Sequence, residues 1–358
     1  MSLEFEARVA ARGFEVSLEV ADNERVAVLG HNGSGKSTLL GLIAGTLRPD
    51  SGRAVLDGRV LFDIDEDGKG AWTPLNARGV AMLAQDPLLF PHMTLLQNAA
   101  FGPRASGSSR KEARETADCW LGEVGIPELR DRRPSEVSGG QAQRAAIARA
   151  LATVPSMLLL DEPMAALDVA VAPALRRVLR QVLTDQATMM VTHDLLDAVM
   201  LSDRVIVLEA GKITEDGPTE DVLEHPRTRF AARLAGLNLV RGIYRDGAVV
   251  TRDGTEVRGS QREGSDELAT NGMEAAAVFP PSAVSVFLDN PHGSPQNNLR
   301  GTISELEPNQ ELVRVRTRIG EQLLLADVTV QAVAQLDLHP GKEVVFSVKA
   351  SAIIIYPA

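Results

Sequence analysis

Residues 24–30, ERVAVLG, form an apolar stretch that runs without a break into GHNGSGKST at 30–38, and KSTLLGLIAGTL continues as a helical run. No other stretch narrows the possible folds as far. Gly30, His31, Asn32, Gly33, Ser34, Gly35, Lys36 and Ser37 fit the spacing G-x-x-x-x-G-K-[ST], with Thr38 next to it. Glycines at those positions let successive backbone N–H groups turn inward on an anion, and the positive end of the following helix adds to the attraction. Such a loop needs a strand before it and a helix after it. Both are present.

Three further buried strands are expected within SMLLLDEP (156–163), TMMVTHD (188–194) and RVIVLEAGKI (204–213). Buried strands that alternate with helices imply a parallel sheet covered on both faces. LEFEARVA and FEVSLEV near the N-terminus alternate as strands at a sheet edge do. Residues from about 86 to 155 turn helical, with a Gly/Ser-rich break at GPRASGSSR (102–110).

Near residue 237 the grammar changes to short Val-rich strands between Gly, Asp and Pro turns. The expected division is therefore 1–236, an α/β domain, and 237–358, an all-β domain. The second part carries an internal repeat: GMEAAAVFPPSAVSVF (272–287) lies over GKEVVFSVKASAIIIY (341–356) without a gap. Upstream, NLVRG (238–242) lies over NLRG (298–301) if one residue is skipped, giving copies of about 238–287 and 298–357. Two such units bury together what neither buries alone.

Composition excludes some functions. A net charge of −11 and 4% aromatic residues argue against a nucleic-acid binder. The one cysteine, Cys119, cannot form an internal disulfide and reads as a small residue in a helix in a reducing compartment. No apolar run approaches the roughly 18–20 residues that span a bilayer, and the N-terminus lacks a signal-peptide core. The chain is expected to stay where it is made, and any membrane spans come from another chain.

The candidate chemistry follows from residue types. Lys36 would reach the β- and γ-phosphates of a nucleotide, and the Ser37 hydroxyl would ligate Mg²⁺. The apolar strand Met157–Leu160 ends in Asp161 and Glu162, which sets one carboxylate beside the metal and the other toward a water nucleophile. His193 follows the strand MMVT and is expected at the γ-phosphate. Gln85, after GVAMLA, can reach both metal and water. VSGGQ at 137–141 is a second glycine loop at a helix start. By contrast, Asp63–Gly68 (DIDEDG) only opens like a calcium loop, because its twelfth position is Pro74 and not an acid. It reads as a hairpin turn.

In chain order, GHNGSGKS, Gln85, VSGGQ, LLLDE, AALD and His193 resemble the ATP-binding-cassette (ABC) ATPases over residues 1–236. The resemblance implies an ABC-type P-loop fold with a parallel sheet and a helical subdomain, taking ATP and Mg²⁺. It also implies that Ser138, Gly139, Gly140 and Gln141 cap the ATP of a second, antiparallel copy, and that Asp168 speaks across the same interface. Val137 and Ala165 depart from the usual leucine and serine. Phe14 is the candidate for stacking on adenine, although it lies closer to the phosphate loop than is typical.

Residues 85–102, and LFPHMT in particular, resemble the segment of importer ATPases that meets a membrane permease, with Leu88, Leu89, Phe90 and Met93 forming a cleft. The C-terminal part resembles the OB-like accessory domain of those ATPases. Its last 60 residues look like the oxyanion-binding module of molybdate importers, on NNLRGTI, ADVTVQAVAQLDLHPG and FSVKASAIIIY. Thr329, Lys349 and Ser351 are its candidate oxyanion donors.

The expectation is an ATPase subunit of an ABC importer, most like that for molybdate, working as a homodimer on the inner face of the membrane. A permease would be its direct partner and an external binding protein an indirect one. Sulfate, tungstate, sugar, polyamine or iron are the alternative cargoes, and an oxyanion sensor or store the alternative role. A soluble cassette ATPase of DNA repair or translation is disfavoured, since neither a long coiled coil nor a second cassette is present.

Overall fold

The computed structural model describes residues 3–165, 167, 171–261, 268–291, 293 and 296–358. The chain divides into two compact units, Met1–Glu220 and Asp221–Ala358. The divide therefore lies ahead of the change in sequence grammar near residue 237.

The first unit opens with β1 (Leu3–Val9) and β2 (Phe14–Val20), whose strict alternation buries every second side chain. Next come β3 (Arg25–Leu29), α1 (Lys36–Ala44), β4 (Ser51–Leu56), β5 (Arg59–Ile64), β6 (Gly70–Trp72) and β7 (Val80–Leu83). The N-terminal strands do not extend the parallel sheet. They form a separate antiparallel sheet in the order β2-β1-β4-β5-β6. Periodicity shows that one strand face is buried, but not against which layer. The turn between β5 and β6 is a hairpin in which the Asp65 carbonyl accepts from Gly68 N–H (3.0 Å) and its carboxylate from Lys69 N–H (2.8 Å).

α1 lies in the core that both sheets contribute to, which is why Leu39, Leu40, Leu42 and Ile43 are all fully buried. Its far end is held by Arg78, also fully buried. The Arg78 guanidinium donates to the carbonyls of Leu42 (2.7 Å) and Ile43 (3.0 Å) and lies 4.2 Å from the Trp72 ring centre. A cation at a helix C-terminus answers its unpaired carbonyls. Burial nevertheless pushes the Arg78 pKa down to about 10.

A helical stretch follows: α2 (Leu95–Ala105), α3 (Arg110–Glu123) and α4 (Gly139–Leu151). Each starts with a reciprocal capping box, Thr94 with Gln97, Ser109 with Glu112, and Ser138 with Gln141. These caps set the helix starts, and α2 runs through Gly102 before the break. The unit closes with β8 (Met157–Asp161), α5 (Ala172–Val182), β9 (Thr188–Val191), α6 (Leu195–Leu201), β10 (Arg204–Glu209) and β11 (Lys212–Pro218). The main sheet runs β11-β10-β3-β9-β8-β7, parallel except for β11. β3, β7, β8 and β9, which lead to Gly30, Gln85, Asp161 and His193, run parallel and so end at one edge, the usual ligand edge of an open parallel sheet.

After α7 (Thr219–Glu224) and α8 (Arg229–Leu234), the second unit holds β12 (Asn238–Arg245), β13 (Ala248–Val250), β14 (Glu256–Arg258), β15 (Ser260–Gln261), β16 (Glu274–Phe279) and β17 (Ser285–Phe287). Then come β18 (Asn297–Asn309), β19 (Leu312–Ile319), β20 (Gln322–Thr329), α9 (Val330–Gln335), β21 (Glu343–Val348) and β22 (Ile354–Pro357). Two sheets, β14-β13-β12-β16-β22-β15 and β17-β21-β18-β19-β20, share one core.

The repeat is structural. Each copy has a strand, a 3₁₀ turn and a second strand, and the second strands are exchanged: β22 pairs with β16, and β17 with β21. The upstream match needs no skipped residue. Asn238 pairs with Phe279, and Asn297, not Asn298, pairs with the equivalent Val348. Gly242 and Gly301 then coincide, for the same reason. A Cβ on either would stand 2.2 Å from the Val250 carbonyl or 2.3 Å from the Arg318 carbonyl.

Candidate nucleotide site

β3 runs straight into Gly30, whose φ of 152° belongs to glycine, and a Cβ there would lie 2.3 Å from the Leu208 carbonyl oxygen of β10. The loop must therefore run tight against the neighbouring strand. Ser34 N–H donates to the His31 carbonyl (3.1 Å), and the Ser34 carbonyl accepts from Gly211 N–H (2.9 Å). Lys36 opens α1 and is 7% exposed. Its ammonium donates to the carbonyls of Gly30 (2.7 Å) and His31 (2.9 Å), inside the curve of the loop. Burial lowers the Lys36 pKa, and the charges of Glu162 and Asp161 oppose that shift.

Asp161 ends β8 level with Val191 at the end of β9. Burial raises its pKa, the neighbouring Glu162 charge raises it further, and Lys36 pulls it back. Glu162 takes a left-handed backbone (φ 46°) and donates its N–H to the Val191 carbonyl (2.9 Å). A non-glycine residue held there carries strain that the surroundings must impose. The result carries its carboxylate to 3.5 Å from Nδ1 of His193, which is exposed. Gln85 is exposed, two residues past the end of β7.

Beneath His193 lies a buried network that sequence reasoning missed. Arg176 of α5 donates to Asp197 of α6 at 2.8 and 2.5 Å, and the other Asp197 oxygen accepts from the Thr192 hydroxyl (3.2 Å). The same hydroxyl accepts from Asp194 N–H (3.1 Å), so both neighbours of His193 in the chain are tied down. Arg12 was missed as well: its guanidinium donates to the Thr38 hydroxyl (3.0 Å) at the start of α1. No motif marks it, because the contact joins residues of two separate elements.

Phe14 does not present a face to a nucleotide. It is 1% exposed, and its ring lies 3.0 Å from where a Gly35 Cβ would stand. Its alternation within β2 puts it under the loop as floor, which corrects the expected adenine platform. Asp168 lies outside the described residues. Ser138 and Gly139 are exposed at the start of α4, where the Ser138 hydroxyl accepts from Gln141 N–H (3.4 Å) and Gln141 Oε1 from Ser138 N–H (2.9 Å). No hydrogen bond or ion pair among the described residues joins 138–141 to 30–38.

A magnesium nucleotide suits these groups. The Ser34 hydroxyl is buried with no hydrogen-bond partner among the described residues, and such a group wants one. Burial, and then the charge of the adjacent Glu162, raise the Asp161 pKa, and a cation placed beside it would oppose that shift. Among the described residues no group of three or more His, Cys, Asp and Glu side chains could hold a metal alone. Magnesium is commonly bound by one or two carboxylates together with substrate phosphates, a role open to Asp161 beside a bound nucleotide.

The ABC transporter family profile matches residues 14–165, and the TOBE domain profile residues 293–355. The chain is 47% identical to the molybdenum import ATP-binding protein ModC of Mycobacterium tuberculosis, over 99% of this chain and 97% of that one. The chain belongs to the ABC transporter family. Its nucleotide is ATP, and its second unit ends in a TOBE domain. The sulfate/thiosulfate import protein CysA 2 of Agrobacterium fabrum is 35% identical over 95% of this chain and 92% of its own. The molybdate/tungstate protein WtpC of Pyrococcus horikoshii is 33% identical over 96% and 95%. Among solved structures, the dimeric ATP-binding cassette MJ0796 in a post-hydrolysis state bound to ADP and Pi matches with a TM-score of 0.52 and 27% identity. That likeness covers 61% of this chain and 98% of that one.

Two further predicted regions of this ABC protein can be placed. In 85–102, Leu88 is 67% exposed and Phe101 44%, while Leu89, Phe90 and Met93 are half-buried. Phe90 packs on Phe101 in a tilted pair with ring centres 4.6 Å apart, and Arg149 crosses the Phe90 ring while donating to the Leu88 carbonyl (2.8 Å). Asn98, fully buried, accepts from Phe90 N–H (2.8 Å) and donates to the Phe90 (3.1 Å) and Thr94 (3.0 Å) carbonyls, so the segment has a fixed shape. In the second unit the Thr329 hydroxyl accepts from Ala332 N–H (3.1 Å) as the cap of α9, and Lys349 and Ser351 are exposed around a 3₁₀ turn. No hydrogen bond among the described residues joins these three.

Proposed function

We propose that this chain hydrolyses ATP to drive import of molybdate through a separate membrane permease. The observation that carries the reading is likeness to a molybdenum import ATP-binding protein across both units, not the ATPase unit alone. In this reading Lys36 grips the β- and γ-phosphates beside the loop N–H groups of 30–38. Ser37, Gln85 and Asp161 would hold Mg²⁺, which supplies positive charge against the triphosphate oxygens. Glu162 orients and polarises a water on the γ-phosphate, and His193, 3.5 Å from it, contacts the same phosphate. The products are ADP and phosphate.

The start of α4, exposed at Ser138 and Gly139, gives Ser138, Gly139, Gly140 and Gln141 to the ATP of a second copy, with Asp168 at the same interface. A dimeric cassette among the solved relatives supports this arrangement. Among the described residues no helix is long and apolar enough to cross a membrane. The chain then sits on the inner face, with the Leu88–Phe101 surface against the permease and an external binding protein beyond it. Thr329, Lys349 and Ser351 remain the proposed oxyanion donors of the TOBE domain.

The test is reconstitution with its permease in proteoliposomes. Molybdate-loaded binding protein should stimulate ATP hydrolysis, and sulfate-loaded binding protein should not. Equal stimulation by both would remove molybdate as the specific cargo.

A further inference from the structure

In the second unit, the outer face of β12 opens onto a cavity of about 750 Å³. Arg229, Arg241, Arg245 and Arg252 line it, with Leu239 and Ile243 between them. Arg241, Ile243 and Arg245 alternate along β12 and so share a face, while Val240 and Val249 turn into the core. The counter-charges are Glu274 and Glu321. Arg241 approaches Glu274 at 3.7 Å, and both side chains are exposed. Arg229, Arg245 and Arg252 have no ion-pair partner among the described residues. Four arginines face two glutamates, in a chain whose net charge is −11.

The repeat supplies an internal control. Arg241 and Gly242 correspond to Arg300 and Gly301, but beyond the glycine β18 bulges at Ser304, and neither Ser304 nor the next paired residue, Glu305, repeats the arginine that β12 has at 245. The fold therefore does not require an arginine there. The rim, by contrast, is fixed. The Asp253 carboxylate accepts from the Thr251 hydroxyl and from Glu321 N–H (3.0 Å), joining the turn that carries Arg252 to the turn before β20.

We propose that this cavity binds a small organic polyanion, a molecule with two or more phosphate or carboxylate groups. Its volume falls within the roughly 300–1,000 Å³ of small-molecule sites. Arg241 and Arg245 leave the backbone about 13 Å apart, at about 3.3 Å per strand residue, which suits separate anionic groups on one carbon skeleton. Guanidinium forks pair with phosphate or carboxylate two bonds at a time. Leu239 and Ile243 offer apolar contact to the skeleton. Among the described residues no aromatic side chain lines the cavity, so they offer no stacking surface for a nucleobase.

The test uses the full-length protein with its nucleotide site saturated with ADP and magnesium, titrated by calorimetry. Fructose 1,6-bisphosphate and citrate are the probes, and molybdate and sulfate the controls. At least one probe should bind, and which one does separates phosphate from carboxylate recognition. Arg245→Ser/Arg252→Ser should weaken that binding at least roughly tenfold, as loss of charge-assisted hydrogen bonds does. Glu321→Arg should tighten it, which guards against a double variant that merely misfolds. Binding of neither probe at millimolar concentration overturns the proposal. So does equal binding by the Arg245→Ser/Arg252→Ser protein, or molybdate binding that this variant abolishes.

Discussion

Asn238 and Asn297 act as twin latches of the repeated unit. The buried carboxamide of Asn238 donates to the Leu325 carbonyl (2.9 Å) and accepts from Leu325 N–H (2.7 Å). Asn297 does the same at Arg258, at 2.9 and 2.7 Å. Each strand that begins a copy thus reads the backbone of a strand to which it is not paired. Replacing either asparagine by Leu strands a backbone donor and acceptor. We expect a loss of about 1–3 kcal/mol for each, measured by urea unfolding of the second unit within the full chain. A much smaller loss at both positions would mean that water replaces the latch.

The Arg176–Asp197 pair is buried on both sides, so breaking it should be worse than replacing it. Arg176→Met leaves the buried Asp197 without its cation, with only the Thr192 hydroxyl bonded to it, at a cost of about 3–5 kcal/mol, whereas Arg176→Met/Asp197→Leu should recover most of that stability. If the pair positions His193 through Thr192, the double variant stays folded yet hydrolyses ATP more slowly. Steady-state kinetics alongside thermal denaturation distinguishes the two effects.

Glu162→Gln keeps the side-chain shape and removes the base. Turnover should fall by roughly 10²–10⁴-fold, and the protein should accumulate as an ATP-bound dimer in sedimentation velocity. Normal turnover would remove Glu162 from the role proposed for it.

Phe90→Glu places a charge between Phe101 and Arg149 on the half-exposed surface of 85–102. Soluble ATPase activity should persist, while co-purification with the permease and molybdate uptake are lost. Weakened nucleotide binding instead would show that this surface supports the ATP site and not a partner.

Asp253 is expected to contribute to the acid sensitivity of the second unit, as is Asp327 beside Arg314. The Thr251 hydroxyl, then the Glu321 and Thr255 N–H groups, hold its pKa down to about 2 from an ordinary 3.8. A carboxylate lowered in the folded state stabilises it fully above pH 3.8, and that contribution disappears as pH falls through about 2. Asp253→Asn should flatten the stability profile across that window in urea titrations at stepped pH. An unchanged slope would assign the acid limit to other carboxylates.

The nucleotide loop was legible because its function is local. A strand, a glycine turn and a helix lie within twenty residues of one another, and the backbone chemistry of Gly30 and Lys36 needs no distant partner. The repeat was legible for the same reason, since the exchanged strands obey one pattern of alternation and turns. Alternation also marked Phe14 and its neighbours as strand, but could not say that this strand belongs to a second sheet. The ring expected at the adenine therefore lies in the core under Gly35.

Sequence alone determined the elements, the phosphate loop and the twofold plan of the second unit, because each depends on spacing of residues along one segment. Only the tertiary structure decided what meets across segments: Arg12 on Thr38, Arg78 on the end of α1, Arg176 under His193, and four arginines around one cavity. Those contacts join positions far apart in the chain, and the free energy that selects them comes from burial and pairing in three dimensions, which no local pattern records.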